Sequence, residues 1–220
     1  MNFSSLSALW ASLAVPVLPT APWLPWALHL AWALVLACGV AYGLRTRSGA
    51  LRWGSALVLA LWTALPGPAS PAHWLGLAFQ APSLMTVGLC SVCLCKQWRS
   101  VGTLSAPSLH SLWVGAGVVL GWVLLLDTLA WFPVSVYAWG FGAGATGAAM
   151  CVLLPLWIKD RRGAALALWV LMLFVLTRWP SGNLWDALLD PWLWVVLQAL
   201  LLLRGWRWLR AWRAGAAIHA

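Results

Sequence analysis

Charge is what this sequence has least of. Only 8% of its 220 residues are Asp, Glu, Lys or Arg, against about 25% in an ordinary soluble domain. A globular surface kept in water by charge is therefore excluded, and no stretch of different composition hides a soluble domain. Glutamate is absent, and four aspartates are the only acids. General acid–base catalysis needs positioned titratable groups, so an enzyme would have few to work with. An HExxH zinc site is excluded by the missing glutamate, and no GxSxG elbow occurs. Lysine occurs only at Lys96 and Lys159, both at the ends of apolar runs, which excludes a buried Schiff-base lysine. No Lys or Arg precedes Arg45, so the positive n-region of a secretory signal is missing.

What is present is apolar. Hydrophobic residues make up 63% of the chain, and mean hydropathy is +0.87. Lipid is the natural solvent for such a surface. Seven apolar runs follow one another: Trp26–Leu44, Trp53–Leu65, His73–Cys95, Leu112–Trp131, Val134–Ile158, Ala164–Trp179 and one that begins at Pro191–Leu203. A span takes about 20 residues, so the second and seventh fall short unless flanking Arg52, Arg204 and Arg207 snorkel to the interface. Tryptophan is abundant, at 21 residues, and many flank the runs as an interfacial aromatic belt does.

The placement of positive charge supports the count. Arg45, Arg47 and Arg52 follow the first run, and Lys96 and Arg99 the third. Lys159, Arg161 and Arg162 follow the fifth, and Arg204, Arg207, Arg210 and Arg213 the seventh. Of the 13 basic residues only Arg178 falls on an alternate link. With the positive side cytoplasmic, the expected fold is an all-α polytopic membrane bundle of about seven helices, N-terminus out and C-terminus in. Residues 1–25 form a leader outside the membrane, in which Pro16, Pro19, Pro22 and Pro25 recur every three residues, as on one face of a polyproline II helix. Residues 26–203 form the bundle, and 204–220 a basic, Trp-rich cytoplasmic tail. The excess of Arg over Lys points to a bacterial cytoplasmic membrane.

Four groups of residues are singled out. Asp127 is the only carboxylate inside an apolar run, and an ionisable group there costs a few kcal/mol, so it needs a reason. His29, Gln80, Tyr137 and Arg178 fall at similar outer depth. Together they suggest an outward-facing polar pocket, or else a structural Asp127–Arg178 ion pair. Cys90, Cys93 and Cys95 form CSVCLC, whose thiolates are soft-metal ligands, although CxxC without a second pair is a weak zinc signal. Small apolar packing residues would read the same way. Gly117 with Gly121, and Gly140 with Gly144, are GxxxG pairs suited to close helix packing. Arg204, Arg207, Arg210 and Arg213 alternate with Trp and suit anionic lipid headgroups.

Asn183, with Asp186 three residues on, marks the cap of a short outer helix, and Asp190-Pro191 a helix start. No cofactor is indicated. The expected partners are the bilayer, anionic lipids and other membrane subunits, not nucleic acid. The functional expectation is a small transport or binding protein centred on Asp127. A non-catalytic membrane subunit or assembly factor is the second reading, and a thiol- or metal-handling protein the third.

Overall fold

The computed structural model describes residues 22–99 and 110–216, with side chains through residue 212; most of the Pro-spaced leader lies outside them. The described residues form helices joined by turns, with no strand. They are α1 Leu24–Gly43, α2 Gly49–Ala64, α3 Pro71–Phe79, α4 Leu84–Arg99, α5 Ser111–Thr128, α6 Val136–Trp139, α7 Ala143–Lys159, α8 Arg161–Thr177, α9 Leu184–Leu188 and α10 Pro191–Ala216.

Short polar side chains start most of these helices by accepting amide N–H groups that would otherwise lack partners. Ser48 caps α2, Ser70 α3, Ser135 α6 and Asp160 α8. Asn183 caps α9 through Trp185 N–H at 2.9 Å, and Asp190 receives Leu193 N–H at 2.7 Å in the first turn of α10, both where the sequence places a start.

Two apolar runs differ from the continuous helices expected, and the seventh continues beyond Leu203. The third is broken into α3 and α4: Gln80 adopts φ +62°, Pro82 follows, and the Ser83 hydroxyl opens α4 by accepting Thr86 N–H at 3.1 Å. A residue in the left-handed region followed by proline ends one helix and starts another. The fifth run is broken into α6 and α7 across Gly140–Gly142. The seventh is longer than its apolar part, because α10 carries on through the basic segment to Ala216.

Helix α8 is the most enclosed element, with Ala164, Ala167, Val170, Leu171 and Phe174 all buried. It packs on α7 and α4, while α5 packs on α10 through Val114, Val118, Leu193 and Leu197. Helices α1 and α2 form a hairpin closed on Ala37, Ala41 and Ala56, and α1 also packs on α4. Side-chain contacts tie the basic helix ends together. Trp53 meets Trp98 edge-on at 5.2 Å, and Trp113 Nε1 donates to Asp160 at 3.0 Å. The opposite end carries Asp127, Asp186 and Asp190. These are the basic end and the Asp127 end below.

Two helices, α1 and α5, are long and apolar enough to cross a membrane, and α7 is a shorter apolar helix. The outer faces are apolar too: Ile158 is 85% exposed, Leu176 77% and Leu202 74%.

Candidate functional site

At the Asp127 end a polar layer closes the helices. Asp127 sits in the last turn of α5 and accepts from three donors across the turn: Ser135 Oγ at 2.9 Å, Val136 N–H at 3.0 Å and Tyr137 N–H at 2.8 Å. The first amides of α6 thus satisfy the carboxylate. Tyr137 OH donates to Asp186 at 2.7 Å, and the Ser181 hydroxyl donates to the same oxygen. Burial, reinforced by Asp186, raises the Tyr137 phenol above its ordinary value, so it remains a donor. Asn183 Nδ2 donates to Tyr137 O at 2.9 Å, and Trp185 Nε1 to Val136 O at 2.8 Å.

The five residues expected to share a pocket fall into separate groups. Asp127 and Tyr137 belong to the layer just described. Arg178 ends α8 with φ +54°, its guanidinium over the Phe174 ring at 5.2 Å, and among the described residues it makes no ion pair with Asp127. His29 lies on α1, where Nδ1 is 3.0 Å from Thr63 O and 3.2 Å from Ser70 Oγ. Gln80 contributes its backbone oxygen, which accepts from Trp32 Nε1 at 2.9 Å. His29 and Gln80 thus fasten α1 to the turns around α3, away from Asp127.

Of the three cysteines of CSVCLC, Cys90 and Cys93 meet a third thiol from another helix, and Cys95 stands apart. Cys93 is buried, Cys90 half-buried and Cys95 exposed, and the neighbour of Cys90 and Cys93 is Cys38 on α1. Among the described residues no group of three or more His, Cys, Asp or Glu side chains is placed to hold a metal ion. The glycines of α5 make room for α10: a Cβ at Gly117 would strike Leu197, and one at Gly121 the Trp194 ring. Gly140 is crowded by Asn183 and Trp185 in the polar layer, and Gly144 opens α7 half-buried. In the tail, Arg204 is half-buried, Arg207 is exposed and Arg210 lies over the Trp206 ring at 5.0 Å; the Arg213 side chain lies outside the described residues.

Beneath the polar layer the packing leaves a cleft of about 460 Å³ between the α5–α10 pair and the α7–α8 pair. Small residues create it: Ala116 and Gly117 on one side, Ala145, Ala148 and Ala149 on the other. Trp139 and Trp185 lie at its upper end, under the polar layer, and Trp113 and Gly163 at its basic end. Among the described residues no titratable side chain lines it. Trp185 directs its indole N–H to Val136 O, and Trp113 to Asp160, so both present apolar ring faces to the cleft.

The sequence signal for this cleft is the run of small residues in AGATGAA on α7, facing those of α5. Small residues four apart also let helices touch, so the pattern alone does not distinguish contact from a gap. Asp190 is the other site residue that sequence reading left as a simple helix cap: besides Leu193 it accepts Ser83 N–H at 2.8 Å and the Thr86 hydroxyl. No family model, curated protein or solved structure matches the chain.

Proposed function

We propose that this is an integral membrane protein with seven crossings, made by α1, α2, α3–α4, α5, α7, α8 and α10, that binds or carries a small hydrophobic molecule in the cleft. At 1.5 Å per residue α1 is about 30 Å long, the thickness of a bilayer's hydrocarbon core. The 16- and 17-residue helices reach about 24–26 Å, and the flanking Arg and Lys can snorkel across the remainder. Exposed leucines and isoleucine around the outside suit lipid and would be an aggregation hazard in water. With the basic end cytoplasmic, the Asp127 end faces outward. A bacterial inner membrane fits the Arg-rich composition.

The observation that carries the functional reading is the lining. A gap of about 460 Å³ falls within the roughly 300–1,000 Å³ range of small-molecule sites, and its walls are apolar. Apolar walls without acid, base or nucleophile support binding or carriage rather than catalysis. The polar layer above the cleft supports the same reading as a roof, since its carboxylates are engaged by neighbouring donors.

The test uses the purified chain in zwitterionic nanodiscs with a photoreactive hexadecanol. Crosslinks concentrated on the cleft-facing residues of α5 and α7 are expected, and they should disappear in Ala116→Phe/Ala148→Phe. Both alanines are exposed within the protein, so the larger rings fill the gap without displacing packed neighbours. Crosslinks spread over the outer faces, and unchanged in the variant, would overturn the proposal.

A further inference from the structure

We infer that the cleft's ligand is a single-chain anionic amphiphile, with its hydrocarbon chain between α5 and α7 and its head at the basic end. The inference rests on the cleft being a binding site and adds the class and orientation of what it binds.

Size argues for one chain. Along α7 the lining runs from Ala145 to Leu156, about 16 Å, close to the ~15 Å depth of one leaflet. A gap of about 460 Å³ drawn out over that length suits one hydrocarbon chain. A helix, about 10 Å across with its side chains, is too wide for a gap of this volume and length.

Charge argues for the orientation. At its basic end the cleft is lined by Trp113, Leu156 and Gly163, beside the α7–α8 turn on which Lys159, Arg161 and Arg162 are all exposed. The acid among them, Asp160, is occupied: one oxygen accepts Gly163 N–H at 3.2 Å and the other Trp113 Nε1 at 3.0 Å. It therefore holds the turn against α5 while three exposed cations stand on the same turn. The other end has the opposite character. Three of the four carboxylates, Asp127, Asp186 and Asp190, lie at that end, and Trp139 and Trp185 cover the cleft there. An anionic head is attracted to the first end and repelled from the second.

The experiment compares photoreactive hexadecyl phosphate with photoreactive hexadecanol on the same wild-type nanodiscs. Cleft crosslinking by the phosphate should exceed that by the alcohol by on the order of tenfold, and added salt should shrink the difference. In Arg161→Gln/Arg162→Gln the phosphate should fall to the level of the alcohol, with the alcohol unchanged. Lys159→Gln alone, a milder change, should give an intermediate loss. Equal cleft labelling by both probes in the wild type would overturn this inference and leave the cleft as a site for neutral ligands. Labelling of the cleft by neither would overturn both.

Discussion

The Asp190 carboxylate accepts the backbone N–H of Ser83 at 2.8 Å, joining the first turns of α4 and α10 across 107 positions of sequence. The same group accepts Leu193 N–H at 2.7 Å and the Thr86 hydroxyl, so one buried side chain caps two helices that flank the cleft.

Asp190→Ala should therefore be among the most destabilising single changes in the chain. It leaves buried amides of Ser83 and Leu193 without acceptors, each worth about 1–3 kcal/mol. A loss of about 3 kcal/mol or more in detergent-state unfolding is expected. A variant that unfolds like wild type would show that the cap contributes nothing.

Asp127 and Arg178 should behave independently. Asp127→Ala removes the acceptor for Val136 and Tyr137 N–H and should lower the melting midpoint modestly, as for other capping residues. Arg178→Gln should be close to neutral, because the guanidinium rests on Phe174. In a double-mutant cycle the coupling should stay within about 0.5 kcal/mol. A coupling of 2 kcal/mol or more, on the order expected for contacting partners, would restore the ion pair that the sequence suggested.

Topology is tested at exposed turns. In a cysteine-free background, Ala69→Cys and Ala130→Cys should react with an impermeant maleimide in intact cells, and Thr46→Cys only after permeabilisation. Ser70, by contrast, is buried as the cap of α3 and is a poor probe. Labelling of Thr46→Cys from outside would rule out the seven-span arrangement.

The helices themselves were largely legible, because apolar length and short polar caps are local signals. Asn183 and Asp190 begin helices as their chemistry suggests, and basic residues mark the ends of α4 and α7. The breaks at Gln80–Ser83 and Gly140–Gly142 were less so, since hydropathy runs straight through them and backbone dihedrals decide. The site was harder still. Asp127 drew attention as a lone acid in an apolar run, yet its depth along α5 did not reveal that the chain folds back to offer it Val136 and Tyr137 N–H. His29 and Gln80 share that depth but face a different group of helices, and depth carries no information about rotation around the bundle. The cleft is lined by leucine, tryptophan, alanine and glycine, the residue types that also pack the rest of the bundle, so nothing in the sequence announces it.

The central claim is that the cleft holds a hydrocarbon chain, and ligand-dependent melting tests it most directly. A molecule that binds only the native protein stabilises it by about 2.7 kcal/mol at a hundred times its Kd. In zwitterionic nanodiscs, saturating hexadecanol should raise the melting midpoint of the wild type by several degrees and leave Ala116→Phe/Ala148→Phe unmoved. An equal rise in both proteins, or a rise in neither, would contradict the account.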